Sequence, residues 1–334
     1  MKKGLNIVYL DLTRKNEVEN FLQKWNDDTA FMECNTSGST GIPNTIWHSK
    51  ANMQVSARKT IEYFNLQNGS KAYLCLSTST IAGMMMIVRA LEINMTLIVG
   101  PISANALSSI DEPVEFGAIV PLQLAYTLKK DPSKLELVEK LIIGGAPVSE
   151  EMLVQLSSFG SSIFQTYGMT ETISHVAIRK IGKDQEEYYT ALIGIDFSTA
   201  FDGSLIIHYL EIGIPELQTN DIVDLADKDH FRWIGRKDLT INSGGLKLQP
   251  EHIEEILSKH ISVPFFISSL THEDLGEQVI LVIEGEHCAE LDKERVFSEL
   301  SRYERPKQVL YVKRFVYSSS GKILRKETVK QISA

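Results

Sequence analysis

Between residues 71 and 168 short apolar runs alternate with longer amphipathic stretches, and nothing else in this 334-residue chain restricts its fold as tightly. The runs are KAYLCLS (71–77), TLIVG (96–100), FGAIVP (116–121), KLIIGGAP (140–147) and SIFQTYG (162–168). Each has the length of a buried strand, and the stretches between them, 82–93, 121–139 and 149–159, have helical length and spacing. Strands separated by helices predict an α/β fold with a mainly parallel sheet covered on both faces. Ligands of such sheets collect at the carboxyl ends of the strands, where GGAP (144–147) and QTYGMTE (165–171) both lie.

From about residue 183 the pattern changes. FDGSLIIHY and FRWIGRKDLTINSGGLKLQP read as strands joined by tight turns, with a hairpin around Ser243-Gly244-Gly245 and Pro250 opening a helix, EHIEEILSKH. Strands over 262–270 and 278–284, a helix near 289–301 and a strand near 308–312 follow, then a basic tail. The expected organisation is a large N-terminal α/β domain, 1–237, and a small α+β C-terminal domain, 238–334.

Composition narrows the partners. With 34 basic and 43 acidic residues the net charge is −9, which disfavours nucleic acid and anionic membrane surfaces. The opening MKKGLNIVYLDLTRK loses its apolar run at Asp11, too early for a secretory segment, and STIAGMMMIVRALEINMTLIVG is broken by Arg89 and Glu92, so no membrane partner is expected. Cys34, Cys75 and Cys288 share no metal-ligand spacing and read as reduced thiols, which places the chain in the cytoplasm.

Five segments carry candidate chemistry. Thr36-Ser37-Gly38-Ser39-Thr40-Gly41 offers glycine-freed backbone N–H groups and hydroxyls to an oxyanion, although an ordinary Gly/Ser/Thr loop looks the same. It is not the GxxxxGK[ST] loop, which disfavours a P-loop kinase or GTPase. In QTYGMTE, Tyr167 could face a flat base, Thr170 bind phosphate and Glu171 hold Mg2+; the plainer reading is a strand end turning at Gly168, with Tyr167 filling core. Asp221 of TNDIVDL and Arg236 of GRKD could grip ribose hydroxyls. Lys322 of SSSGKILR is either a solvated tail lysine or a cation for a reacting phosphate.

The ordered series TSGSTG, GGAP, YGMTE, TxD, GRxD, SGG, PExIE and GK resembles the adenylate-forming superfamily of acyl-CoA synthetases, adenylation domains and luciferases, from residue 36 to residue 326. That resemblance implies a C-terminal domain that rotates over the site, with Asp238 as hinge. It implies that the loop at 36–41 wraps the β- and γ-phosphates of ATP, and that Gly144, Gly145, Ala146 and Pro147 wall the adenine slot opposite Tyr167 and Gly168. Thr170 would meet the α-phosphate, Glu171 the Mg2+, and Asp221 and Arg236 the ribose. Lys322 would be the catalytic cation, and Ser243, Gly244 and Gly245 would line a channel for coenzyme A.

STIAGMMMIVRAL, YGMTETISHVAIRK and INSGGLKLQPEHIEE look more narrowly like short bacterial o-succinylbenzoate–CoA ligases of menaquinone synthesis. The partners implied are then ATP, CoA and a small carboxylic acid, with a homodimer left open. Other aryl- or fatty-acid–CoA ligases, a stand-alone adenylation enzyme, or a degenerate non-catalytic nucleotide-binding protein are the alternatives. Arg89 is either a helix-edge residue reaching solvent or a fork for a second substrate carboxylate, and His175 either a solvated strand end or a second substrate contact.

The chain departs from the superfamily pattern at Asn44, where a lysine is usual, at TND in place of TGD, and at Thr80, where an aromatic residue or histidine is common. Losing one charge-assisted contact to pyrophosphate costs about 1–2 kcal/mol in a partly exposed site. Asn44→Lys should therefore lower the KM for ATP by roughly five- to thirtyfold; an unchanged KM in steady-state kinetics would place residue 44 out of contact with the nucleotide.

Overall fold

A computed structural model describes residues 5–35, 45–160, 162–285, 292–317 and 323–332. The segments expected to hold phosphate (Thr36, Ser37, Gly38, Ser39, Thr40, Gly41, with Asn44), together with Cys288 and Lys322, lie outside the described residues. The chain forms two compact units, one of Met1–Ser198, Ile207–Leu217 and Ala226–Phe231, the other of Thr199–Ile206, Gln218–Leu225 and Arg232–Ala334. By contacts, then, the second unit gathers residues well before the expected boundary at 237/238, because three long strands pass from one unit into the other.

The first unit opens with β1 (Asn6–Tyr9), α1 (Lys15–Asn26) and a two-stranded ribbon, β2 (Phe31–Asn35) and β3 (Thr45–Ser49), then α2 (Lys50–Tyr63). The alternating region follows: β4 (Lys71–Leu74), α3 (Ile81–Glu92), β5 (Thr96–Val99), β6 (Val114–Ile119), α4 (Pro121–Lys130), β7 (Val138–Ile143), α5 (Glu150–Leu156) and β8 (Ser162–Gly168). Its strands pair in the order β1-β5-β4-β6-β7-β8, all parallel. β9 (His175–Ile181) and β10 (Tyr189–Ala191) extend the sheet antiparallel. The parallel order expected from sequence therefore holds for the alternating region and ends at β8.

Burial explains the continuous apolar runs. Leu124, Leu135, Val138, Leu141, Leu153, Leu156, Ile163 and Ile181 pack in one core cluster with strands β6 and β7, while Met53, Ala57, Met85 and Met86 of α2 and α3 are also buried. The expected helix 121–139 splits, because Asp131 precedes Pro132: α4 stops at Lys130 and a 3-10 turn, Pro132–Leu137, takes over. At the start of α3 a side chain on Gly83 would sit 2.1 Å from the Ser77 carbonyl oxygen, so only glycine lets the helix begin there. Thr80, one of the departures noted above, is the N-cap of that helix, accepting the Gly83 N–H at 3.3 Å.

Arg14 ties the carboxyl edge of the sheet together. Its guanidinium donates to the carbonyls of Leu74 (3.1 Å), Gly100 (3.0 Å) and Leu76 (2.7 Å) and forks onto Glu17 at 3.1 Å twice. The Leu74 carbonyl also takes the Gly100 N–H at 3.0 Å, so Arg14 adds a second donor there and supplies one to the carbonyls of Gly100 and Leu76.

The chain continues through β11 (Asp196–Thr199), β12 (Ser204–Tyr209), β13 (Ile214–Leu225) and β14 (His230–Arg236). The rest of the second unit contains β15 (Ile241–Ser243), β16 (Leu246–Leu248), α6 (Pro250–Ser258), β17 (Phe265–His272), β18 (Gly276–Glu284), α7 (Lys293–Val296), β19 (Gln308–Val312) and α8 (Arg325–Ile332). The β15–β16 hairpin turns on Gly244 (φ +59°) and Gly245 (φ +82°), as the SGG signal predicts. The strand expected at 262–270 begins later, after Pro264, which has no N–H to give a ladder. Of the helix expected near 289–301 only Lys293–Val296 is α-helical among the described residues, and the basic tail is not loose throughout, since its end forms α8.

Candidate active site

The corner between β8 and β9 brings the central motif to a point. Gly168 pairs with His175 after a register shift, and a Cβ there would lie 2.4 Å from the Ser174 carbonyl oxygen and 2.5 Å from the His175 Cα. The chain between them folds into a tight turn in which Thr172, fully buried, takes the Met169 N–H at 3.0 Å and donates to the Ser174 carbonyl at 2.8 Å. Ile173 adopts φ +70°, a costly conformation for a β-branched side chain, of the order of 1–3 kcal/mol. His48 of β3 donates from Nε2 to the Thr170 carbonyl at 2.7 Å. Burial lowers the His48 pKa, and the carbonyl of Thr170 and the charge of Glu171 partly oppose that shift. Thr170 is thus held by its backbone at half burial, and Glu171 is exposed beside it.

Behind the turn lies a buried polar chain. Arg89, 2% exposed, donates from Nη2 to Ser174 Oγ at 2.6 Å. Ser174 Oγ is 3.3 Å from His175 Nδ1, and His175 Nε2 is 3.1 Å from Thr60 Oγ1. One proton assignment satisfies all three contacts: the Ser174 hydroxyl donates to Nδ1 and the neutral imidazole donates from Nε2 to Thr60. Burial, and secondarily the Arg89 charge, holds the His175 pKa well below 6.5, in agreement with a neutral ring.

Two further neighbours of Arg89 are soft or aromatic, Met86 Sδ at 3.9 Å from Nη1 and the Phe116 ring at 6.0 Å from Cζ. Its Nε has no hydrogen-bond partner among the described residues. Burial pushes the guanidinium down to about 9, so it is still cationic at neutral pH. The reading of Arg89 as a helix-edge residue in solvent is overturned, and so is that of His175 as a solvated strand end, since both are buried.

GGAP leaves the carboxyl end of β7 as expected. Gly145 has φ +88°, which favours glycine, and a Cβ on Gly144 would be 2.7 Å from the Thr166 hydroxyl oxygen. Gly145, Ala146 and Pro147 are exposed. Tyr167 is half-buried and meets Phe231 (5.0 Å between centroids) and Tyr189 (6.0 Å) edge-on. The plainer reading, in which Tyr167 fills core, holds for one edge of the ring, which is packed, while the rest retains exposure.

Within the second unit, Asp221, Arg236 and Asp238 come together. Asp221 is buried, accepts the Trp233 indole N–H at 3.1 Å and lies 3.8 Å from Arg236 Nη1. Arg236 forks onto Asp238, Nε to Oδ1 at 2.9 Å and Nη2 to Oδ2 at 3.2 Å. That fork holds the Asp238 carboxyl below its ordinary range against the opposing effect of burial. Ser243 is half-buried and Gly244 and Gly245 are exposed at the hairpin tip.

Sequence reasoning missed His48, Thr172, Ser174 and Trp233. Ser174 and Thr172 stand inside the quoted YGMTETISH motif, and a polar residue next to His175 was the available signal. The partners of His48 and Arg89 lie 122 and 85 residues away, a pairing no local pattern reveals. Among the described residues no group of three or more His, Cys, Asp or Glu could hold a metal by itself, and no helix is long and apolar enough to cross a membrane.

The chain is similar in sequence and fold to known proteins. The family model described as AMP-binding enzyme matches residues 9–198. A curated relative, the 2-succinylbenzoate–CoA ligase of Staphylococcus epidermidis, is 24% identical over 358 residues, covering 97% of this chain and 75% of the relative. A solved acyl-CoA synthetase (AMP-forming)/AMP-acid ligase II-like protein from Dyadobacter fermentans is 33% identical, with TM-score 0.65 and coverage of 96% of this chain and 95% of that one. The o-succinylbenzoate coenzyme A synthetase of Bacillus subtilis, solved with ATP and magnesium ion, shares the fold at TM-score 0.77 and 20% identity, covering 89% of this chain and 69% of that one.

The neutral state of His175 gives a test of the buried chain. A histidine whose pKa is depressed on folding stabilises the fold above its unfolded value of 6.5, and that contribution is lost as pH falls below 6.5. His175→Gln should be destabilised at neutral pH, with a deficit that shrinks by about 1 kcal/mol for each unit of acidification between pH 6.5 and 5. Urea denaturation of both proteins at several pH values measures this; a deficit independent of pH would show that His175 takes up its proton equally in both states.

Proposed function

The chain belongs to the AMP-binding enzyme family, and from that premise we propose that it is an ATP-dependent acid–CoA ligase acting on o-succinylbenzoate or a closely similar aromatic dicarboxylate. The observation that carries the substrate class is Arg89, a buried cation with an unpartnered Nε beside the corner that presents Thr170 and Glu171. A guanidinium in an apolar surround is stabilised by a carboxylate that fills its free donors. A dicarboxylic acid provides one carboxylate for Arg89 and leaves the other for chemistry. The name of the Staphylococcus epidermidis relative agrees with that requirement.

In this reading the substrate carboxylate attacks the α-phosphorus of ATP, and pyrophosphate leaves. Gly144 to Pro147 and Tyr167 bound the adenine, and the Thr170 hydroxyl meets the α-phosphate, its backbone fixed by His48. Asp221 and Arg236 take the ribose hydroxyls; Asp221 is pre-oriented by Trp233, while Arg236 exchanges part of its hold on Asp238 for the sugar. Glu171, a single exposed carboxylate, fits Mg2+, which favours one or two carboxylates plus phosphate oxygens. When bound there the ion offsets charge on the phosphates. The loop at 36–41 wraps the terminal phosphates through backbone N–H groups and hydroxyls. Lys322 bridges the incoming carboxylate and the phosphate, offsetting the repulsion of two anions.

The acyl-adenylate then passes to the CoA thiol, which displaces AMP. Rotation at Asp238 withdraws Lys322 and brings in the Ser243-Gly244-Gly245 hairpin, whose bare glycines leave room for a pantetheine arm.

Pyrophosphate release from a panel of carboxylic acids, each with and without CoA, tests the reaction. o-Succinylbenzoate should give release and a thioester; silence across the panel would favour a non-catalytic nucleotide-binding protein, and preference for an aromatic or fatty monocarboxylate would reassign the substrate. Arg89→Ala should lower kcat/KM for the dicarboxylate by roughly 10- to 150-fold, the worth of a hydrogen bond to a charged group, and an undiminished value would remove Arg89 from the substrate site. Lys322→Ala should abolish adenylation yet spare thioester formation from pre-formed adenylate, and an equal loss in both steps would overturn the two-state scheme.

A further inference from the structure

The buried chain behind the β8–β9 corner ends on a cation that the fold leaves incompletely met. Among the described residues, Ser174 Oγ at 2.6 Å from Nη2 is the one oxygen acceptor of the Arg89 guanidinium; the Met86 thioether and the Phe116 ring are softer neighbours. The direction of the charged head therefore depends on the serine. A serine hydroxyl is a rotor: its proton takes an acceptor on one side, and its lone pairs serve donors on the other. His175 Nδ1 at 3.3 Å provides the acceptor, and Thr60 Oγ1, 3.1 Å from Nε2, takes the N–H of the ring. Ser174 then donates away from Arg89 and turns its lone pairs toward it. In the opposite tautomer, with the proton on Nδ1, Ser174 would receive two N–H groups, and its own proton would be driven out of the chain toward the guanidinium.

We propose that His175 and Thr60 are positioning residues for the dicarboxylate. Thr60 sets the tautomer of His175, His175 directs the Ser174 hydroxyl, and Ser174 holds the Arg89 head so that its unmet Nε is left for the second carboxylate. This rests on the role given to Arg89 under the proposed function. The chain joins three elements: Thr60 lies on α2, Arg89 on α3, and His175 opens β9 with Ser174 just before it. Ser174 also belongs to the turn that presents Thr170 and Glu171, so the same residue touches the substrate-facing cation and the corner given to the chemistry.

Stability alone is a poor account of this chain. Thr60 is fully buried and His175 nearly so. Exchanging both partners of a buried hydrogen bond for apolar groups of the same shape is close to neutral for a fold. The ring is also held neutral beside a cation, since burial first and the Arg89 charge second keep it from taking up a proton at neutral pH. What a neutral imidazole adds is direction. It presents an acceptor at one nitrogen and a donor at the other in a rigid ring, so fixing one end fixes the other. A leucine in its place would fill the space and leave the Ser174 hydroxyl free to turn.

Steady-state kinetics of the full-length chain with o-succinylbenzoate, and inhibition by a matched aromatic keto acid lacking the second carboxylate, test this. His175→Leu and Thr60→Val should each raise the KM for the dicarboxylate by roughly three- to tenfold, the worth of one neutral hydrogen bond. The KM for ATP and the Ki of the monocarboxylate should be nearly unchanged. His175→Asn, whose amide oxygen stands where Nδ1 stands, should restore most of the original KM, and the double variant should be no worse than His175→Leu, the mark of residues acting in series. Proton–nitrogen NMR of the unaltered protein should show His175 protonated at Nε2. The Nδ1 tautomer, an unchanged dicarboxylate KM in a folded variant, or an equal rise in the KM for ATP and the monocarboxylate Ki would overturn the proposal. Should His175→Leu fail to fold, Thr60→Val and the NMR tautomer decide the question. Arg89→Ala distinguishes the failures: if it leaves kcat/KM for the dicarboxylate undiminished, the role of Arg89 is wrong, whereas if it lowers that value while the His175 and Thr60 variants are normal, only this inference falls.

Discussion

The contact on which the first unit's site depends is that between Gly168 and the backbone of Ser174 and His175. No side chain fits there, and the closeness lets β8 turn back into β9 within six intervening residues. The turn is held within by Thr172 and from β3 by the buried His48, and it contains the left-handed backbone of Ile173. Everything the motif offers follows from this compression. Tyr167 is at the end of one strand, Thr170 and Glu171 face outward, and Ser174 and His175 are pushed inward to meet Arg89. A looser turn would carry the same residues without the division into an outer polar rim and an inner buried chain.

The parts of this design visible in sequence are those set by local chemistry. Runs such as KLIIGGAP announce a strand and its end, because a strand buried on two faces is apolar throughout and a glycine pair lets the chain leave it. The SGG turn and the helix after Pro250 are equally local. The ordered motifs likewise gave the family, since each keeps its residues within a few positions. Pairings across the fold were hidden: Arg89 with Ser174, His48 with Thr170, and Glu254 with Arg325, the last 71 residues apart. Arg89 even gave a misleading local signal. Its place in MMMIVRAL fits a helix-edge arginine, whereas the helix is buried nearly all round and carries the charge in with it.

Two forks in the second unit share one chemistry and differ in setting. Arg236 and Asp238 are two residues apart on a partly exposed segment, so their pair re-forms easily after a backbone rotation. Arg325 and Glu254 are distant in sequence and largely shielded from water, so breaking that pair leaves an uncompensated charge. The same guanidinium–carboxylate geometry is therefore cheap to break in one position and costly to break in the other, decided by exposure and sequence separation.

A comparison of two buried arginines in the first unit sharpens the substrate argument. Arg14, 4% exposed, uses all its donor nitrogens: three carbonyls and both oxygens of Glu17. Its charge is compensated and its hydrogen bonds are complete, so it has nothing left to offer a ligand. Arg89 is buried to the same degree, yet its near neighbours are a serine hydroxyl, a thioether and an aromatic face, and its Nε is unmet. Folding alone gives no reason to retain that cost, because a methionine or leucine would pack among Met86 and Phe116 without desolvating a charge. The same fold shows at Arg14 that it can satisfy a guanidinium when the role is structural. The incompleteness at Arg89 is thus specific to its site, and in the proposed function an anionic group of the substrate completes it.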